Sequence, residues 1–319
     1  MRALCLDGPG PALREREAPV AGDGEALVRV RMAGICNTDL EIAKGYMGFR
    51  GVLGHELCGE VVAHPDPAAV GLRVAGEINL ACGACATCAR GLGRHCPERS
   101  VLGILGKDGC FAELVTLPVA NLHPLPRELA DELACFVEPT AAAFEIAEQV
   151  DLRAHAQAVV LGDGKLGLLV AQVLAAAGCE PVLVGRHARK LALARGLGLR
   201  TRVLEELPAK QWSLVVEATG APEGMRAAVM LARPRGTIVL KSTYHGVLSL
   251  DAAPLVIDEL TLVGSRCGPF APAIAALCSG AVDPRGLIDD VLPLARAEQA
   301  LARAAEPGVL KILLDMRST

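Results

Sequence analysis

AVVLGDGKLGLLVAQVLAAAG, running from Ala158 to Gly178, decides the fold. A β-branched run closes on Gly162, further glycines follow at Gly164 and Gly167, and a helical stretch rich in Leu, Val and Ala opens at Lys165 and Leu166. A glycine turn between an apolar strand and a helix is the context of a dinucleotide-binding corner. The first glycine permits the tight turn, the second lets the backbone approach a pyrophosphate, and the third lets helix and strand pack closely. The free N–H groups at the helix start then face the phosphates. A glycine-rich turn without a ligand is the plainer alternative, and the flanking strand and helix argue against it.

Working outward, strand-like runs alternate with amphipathic stretches: PVLVG, HARKLALARGLG, SLVVEATG, GTIVLKS and LTLVGSR. This alternation predicts βαβ units and a doubly wound parallel sheet over residues 138–268. Upstream, Met1 to about Pro126 reads as short β-branched runs cut by Gly and Pro, such as ALVRVRMAG, LCGEVVAH and FAELVTLP. That spacing predicts a mostly antiparallel, partly barrel-like β domain. In CFVEPTAAAFEIAE the pattern turns helical at Glu138 and Pro139.

The second strand of the parallel set, PVLVG, ends at Gly185, where an NAD enzyme carries an acidic residue for the ribose hydroxyls. Arg186 and His187 follow, with Arg189 and Lys190 close behind. Without the carboxylate nothing repels a 2′-phosphate, and arginine offers it a charge-assisted fork, so the corner predicts a preference for NADP over NAD.

Metal chemistry is suggested in two places. ACGACATCARGLGRHCP places Cys82, Cys85, Cys88 and Cys96 within residues 80–97. Four thiolates close a tetrahedral shell and leave no position for a substrate, which makes this lobe structural. The C-x2-C-x2-C run and the Cys96-Pro97 pair also fit iron–sulfur ligation, although there the fourth cysteine follows after about three residues, not seven. The second place is GICNTDLEIAKGYMGFRGVLGHELCGE, Gly34 to Glu60, with Cys36, Thr38, Asp39, His55 and Glu56. A soft thiolate and an imidazole suit zinc, and a buried thiol with a satisfied core histidine is the plain alternative. Thr38, with Glu41 three residues on, is a candidate N-cap for a short helix starting just after Cys36.

Length and composition bound the rest. A chain of 319 residues exceeds what one core usually serves, so two domains are expected. With 32 basic and 36 acidic residues the net charge is −4, without a basic stripe, which argues against a nucleic-acid partner. No run of about eighteen apolar residues reads as a membrane span, and the start breaks at Asp7, Gly8 and Pro9 before a signal peptide core forms. The expected location is the cytoplasm, where Cys5, Cys58, Cys110, Cys135, Cys179, Cys267 and Cys278 serve as small hydrophobes. His64, His95, His123, His155 and His245 show no partner by spacing.

Taken together, Cys36, the Gly54-His55-Glu56 run, the four-cysteine lobe and the Gly162 to Gly167 turn resemble the zinc-dependent medium-chain alcohol dehydrogenases, in that family's order. The resemblance implies a GroES-like catalytic domain over residues 1–137 and 269–319, to which the tail DVLPLARAEQALARA and GVLKILLDM would return, and a Rossmann domain between. It implies one structural zinc on the lobe and one catalytic zinc on Cys36, His55 and a third ligand at the head of the Cys135–Glu148 helix. Glu138 matches that place, with Cys135 the weaker substitute and Glu56 a further contact to the metal. It also implies that Thr38 passes the alcohol proton outward, that Asp39 orients the histidine, and that Thr219 joins the cofactor residues. The expected reaction is hydride transfer between an alcohol, polyol or sugar, or its carbonyl form, and NADP(H) or NAD(H), in a homodimer or homotetramer.

Two features depart from the family pattern. Glu41 stands where many relatives continue the proton relay with histidine, and the loop in VVAHPDPAAVG replaces a glycine usually found past His55-Glu56. Tyr46, Met47, Phe49 and Phe270 are the candidate cleft side chains. A redox-neutral enzyme of the same fold, or a non-catalytic zinc- and nucleotide-binding protein, are the competing readings. They would show no net cofactor turnover, or cofactor binding without alcohol oxidation.

Overall fold

The computed structural model describes residues 1–242 and 250–318, so His245 lies outside the described residues. The chain forms two compact units: Met1–Glu138 with Leu287–Thr319, and Pro139–Gly286. Among the described residues no helix is long and apolar enough to cross a membrane.

The first unit is built on a seven-stranded sheet in the order Leu122–Pro124, Arg73–Gly76, Glu56–Ala63, Glu25–Gly34, Lys311–Asp315 and Ile288–Pro293, with Leu114–Pro118 also paired to Glu25–Gly34. Every pair is antiparallel except the last, Ile288–Pro293 with Lys311–Asp315. Alternation explains the pairing: along Glu25–Gly34, Ala26, Val28, Val30 and Met32 point into the core while Arg29 stays exposed.

Register decides what this sheet offers. Gly34 stands opposite Glu56 on one side and Leu313 on the other. Cys36, just past the end of one strand, therefore lies near His55, just before the start of the next. Glycine at 34 is required by space: a Cβ there would collide with the Glu56 carboxylate and lie 2.8 Å from Lys311 Cε.

The second unit is a six-stranded parallel sheet in the order Arg200–Arg202, Glu180–Val184, Gln157–Leu161, Trp212–Glu217, Ala232–Leu240 and Thr261–Gly264. Strand order reverses between Gln157–Leu161 and Trp212–Glu217, which is the switch point where a doubly wound sheet binds its ligand. The two inner strands are near-continuous apolar runs, as expected of strands covered on both faces. This unit runs to Gly286, whereas the sequence reading ended the sheet domain at 268. Two contacts hold the extra segment: Gly268 packs on the backbone of Ala141 and Glu145, and the Asp283 N–H donates to Gln172 Oε1 at 2.7 Å.

Candidate active site

In the four-cysteine lobe the sulfur atoms of Cys82, Cys85, Cys88 and Cys96 all lie within 4.8 Å of one another. Their measured edges are 3.5 Å (Cys82–Cys96), 3.5 Å (Cys85–Cys88), 3.8 Å (Cys85–Cys96) and 3.9 Å (Cys82–Cys88). Sulfurs held about 2.3 Å from one zinc lie roughly 3.8 Å apart, so the donor set fits that ion. The Cys88 N–H donates to Cys85 Sγ and pulls that thiol down to about 6. Backbone N–H groups of Ala84 and Cys85 lower Cys82 likewise. Those two shifts favour the thiolate, the form that binds metal, whereas burial and the bond with Cys85 push Cys88 up to about 12. His95 stands beside the lobe and is exposed.

The second cluster joins Cys36, His55 and Glu56, whose ligand atoms also fall within 4.8 Å of one another. The helix Asn37–Ala43 is capped by Cys36, not by Thr38 as the sequence suggested, because the Asp39 carboxylate reaches back to the Cys36 N–H at 2.8 Å. Asp39 is fully buried, and its other oxygen lies 3.0 Å from His55 Nδ1. One carboxylate thus fixes both residues, and with Nδ1 turned to Asp39 the opposite ring nitrogen is left for a metal. Burial works against a charge on His55, and the Asp39 carboxylate outweighs it, so the ring's pKa lies well above its ordinary value. The same field favours a cation at the imidazole. Thr38 Oγ1 stands 3.7 Å from Cys36 Sγ, so the hydroxyl lies beside the cluster.

Glu138 occupies the first turn of the helix Val137–Gln149, partly exposed, and is not one of the three clustered residues. Cys135 is a buried thiol that burial pushes well above its ordinary pKa. Glu56 has a partner the sequence reading missed: Lys311 Nζ donates to its carboxylate, and each side chain is 1 % exposed. Lys311 also lies 5.4 Å from the Phe136 ring centroid. Burial disfavours the ammonium, and Glu56 outweighs it, holding the Lys311 pKa above its ordinary value. The available signal was a lone lysine inside the apolar run of GVLKILLDM, since a buried charge requires a partner.

The glycine turn has the geometry its spacing predicts. Gly162 has φ +114°, a Cβ on it would stand 2.5 Å from Ala218 O, and a Cβ on Gly167 would collide with Gly162 O. At Gly164 nothing lies within 4 Å of the same position, which leaves the open approach a pyrophosphate needs. Gly164 caps the helix Lys165–Ala176, so the N-terminal end of that helix opens on the glycine turn. Thr219 hydrogen-bonds the buried Glu217 carboxylate through its N–H at 2.7 Å and its hydroxyl at 2.5 Å. Glu217 carried no sequence signal. Arg186 and His187 are exposed. Of the cleft candidates, Phe49 and Phe270 are core, Met47 is exposed with left-handed backbone (φ 62°), and Tyr46 is half-buried. His155 bonds Ser213 Oγ at 3.0 Å, His64 its own loop, and His123 lies 3.6 Å from Glu77.

Comparison with known proteins covers both units. Residues 22–127 match the alcohol dehydrogenase GroES-like domain, and residues 166–278 match the zinc-binding dehydrogenase profile. The chain is 31 % identical to L-galactonate-5-dehydrogenase of Escherichia coli K12, over 82 % of each chain. It is 30 % identical to L-threonine 3-dehydrogenase of Streptomyces avermitilis, over 99 % of each. Among solved structures, the rspB alcohol dehydrogenase of Escherichia coli CFT073 complexed with NADH superposes with a TM-score of 0.91, 27 % identity and 99 % of each chain covered. A zinc-binding dehydrogenase of Sinorhizobium meliloti 1021 bound to NADP gives 0.90, 27 % and 98 % of each. With its cysteine lobe, its Cys36–His55 cluster and its glycine turn all in place, the chain belongs to the zinc-dependent medium-chain alcohol dehydrogenase family and is an oxidoreductase that uses a nicotinamide cofactor.

Proposed function

We propose that the protein transfers hydride between a secondary alcohol of a polyol or sugar-derived substrate and NADP(H). The observation that carries the reading is Asp39, which holds Cys36 and His55 together at 2.8 and 3.0 Å inside the core. Cys36 and His55 would hold a zinc ion here, which would supply Lewis acidity toward an alcohol or carbonyl oxygen, and a bound nicotinamide would supply the hydride acceptor or donor.

The protein's own groups do the remaining work. Glu138 is proposed as the third ligand, since Glu56 is engaged by Lys311 and its departure would leave a buried ammonium unpaired. The Thr38 hydroxyl relays the alcohol proton, accepting it while giving up its own toward solvent, and Glu41, bonded to Lys44 at 2.8 Å, is the next titratable group on that helix in that direction. Cys82, Cys85, Cys88 and Cys96 of the lobe would hold a second, structural zinc. Both clusters need reduced thiols, which suits a cytoplasmic setting.

Relatives bound to NADH and to NADP are equally similar, so NADP preference rests on Gly185 and the exposed Arg186. The sugar-acid, polyol and threonine dehydrogenases among the relatives support a small hydroxylated substrate. The edge strand Thr261–Gly264, with Leu262 41 % exposed, and the neighbouring Val256 and Ile257, 76 % and 77 % exposed, support a homodimer or homotetramer.

A screen of alcohols, sugars and polyols with both nicotinamides, following absorbance of the reduced cofactor, tests the reading. NADPH formation from a polyol or sugar acid, with about two zincs per chain, is the expected result. Turnover of none of these with either cofactor, or a single zinc, overturns it.

A further inference from the structure

Asp163 is the second residue of the glycine turn, yet it is only 5 % exposed. Its carboxylate leaves the turn and enters the corner after the strand Glu180–Val184. Oδ2 accepts the backbone N–H groups of Arg186 at 2.9 Å and His187 at 2.8 Å, and His187 Nδ1 lies 2.9 Å from Oδ1. Burial opposes the charge, and the His187 N–H and ring outweigh it, holding the carboxyl below its ordinary pKa.

The same carboxylate accounts for Gly185. That residue is not among those with left-handed backbone, so its conformation does not demand glycine. Space does, because a Cβ there would lie 2.5 Å from Asp163 Cγ. This strand end is where a dinucleotide-binding corner ordinarily projects an acid toward the ribose diol. Here the acid arrives from the glycine turn instead and is turned toward backbone amides.

We propose that Asp163 is the positioning residue for cofactor choice. It fills the volume at residue 185, which excludes a carboxylate directed at the ribose diol, and it clamps the amides of residues 186 and 187 so that Arg186 is presented to a 2′-phosphate. The inference rests on the NADP(H) reading above. Asp163 carries a charge of the wrong sign for a phosphate, but it is buried under three donors, while the Arg186 guanidinium is exposed. The guanidinium therefore sets the sign that a phosphate meets at this corner.

The test is equilibrium binding of NADPH and NADH, read from the fluorescence of the reduced nicotinamide, in the wild type, D163N, D163A, G185D and the exchange variant D163G/G185D. D163A is expected to weaken NADPH about tenfold, the scale of one charge-assisted contact, and NADH less than about threefold, with D163N between wild type and D163A. G185D alone, crowded against Asp163, lowers the Tm. Adding D163G restores the Tm and turns the preference toward NADH, a non-additivity expected of residues in contact. Equal losses for both cofactors in D163A would reduce Asp163 to a structural residue, and tighter NADPH binding in D163N would make it a repelling charge; either result overturns the inference. A wild type that prefers NADH overturns the NADP(H) reading and this inference with it. A wild type that prefers NADPH, with the ratio unchanged in D163A, overturns the inference alone.

Discussion

Two clusters of metal-type ligands stand in the same unit and are assembled by opposite means. The lobe draws Cys82, Cys85, Cys88 and Cys96 from one short segment, and local N–H donors aim at its sulfurs. The Cys36–His55 cluster joins the end of one strand to the start of another through the pairing of Gly34 with Glu56, and a buried carboxylate touches both residues. A closed shell needs only chain spacing. An open, reactive shell needs a sheet to bring its members together and a further residue to hold them, which ties its chemistry to the stability of the fold.

Four measurements probe that contrast. Cys36→Ser should remove the ion from the reactive cluster and leave the lobe filled. Zinc content then falls by one per chain, and kcat/KM drops by about three decades or more, the loss of several kcal/mol of Lewis-acid stabilisation. A Cys36→Ser protein that keeps its turnover would erase the distinction between the clusters.

Glu56→Gln tests the dependence on the fold, since it strands the buried Lys311 ammonium. A loss of about 3–5 kcal/mol in urea unfolding is expected. Cys85→Ser opens the closed shell and should cost about 3 kcal/mol, roughly 10 °C in Tm, while kcat of the protein that remains folded changes little. A large fall in kcat with unchanged Tm would show that the lobe takes part in chemistry. The smallest of the four effects is expected for Asp39→Asn, which keeps the shape but weakens the hold on His55. Zinc affinity and kcat/KM should each fall about 10–100-fold, checked by chelator competition and by kinetics.

Acid titration of a network away from both clusters supplies a control. Asp131 accepts from Arg31 at 2.8 Å, Arg73 at 2.6 Å and Arg317 at 3.0 Å. Burial raises its pKa, and the bonds from Arg31, Cys58 and Arg73 outweigh burial and hold it below the ordinary 3.8. A depressed carboxyl stabilises the fold above its unfolded pKa and loses that contribution as pH falls through the folded one. The stability difference between wild type and Asp131→Asn should therefore be constant from about pH 7 to about pH 5 and shrink below about pH 4.

What could be read from the chain follows the same divide. The lobe was legible because its four cysteines lie within one short segment, and the parallel sheet because Gly162, Gly164 and Gly167 fall between a continuous apolar run and a helical one. The cap of the short helix after Cys36 was misread, since Thr38 and Glu41 fit the capping pattern as well as Cys36 and Asp39 do. Lys311 and Asp163 were passed over because each acts on a residue set by tertiary geometry: Glu56 across the sheet in one case, the corner at 185–187 in the other. The span of the second unit beyond 268 was illegible too, because Gln172 and Asp283 meet only once the helices have packed.

The pairing of Glu56 with Lys311 spans 255 residues of sequence. At about 5–20 residues per second of synthesis, the carboxylate emerges roughly 10–50 s before its counter-ion exists. Until then Glu56 stays in water, and the buried pair cannot close before the Lys311–Asp315 strand docks beside Glu25–Gly34. The sheet that sets Cys36 beside His55 is therefore completed late in synthesis.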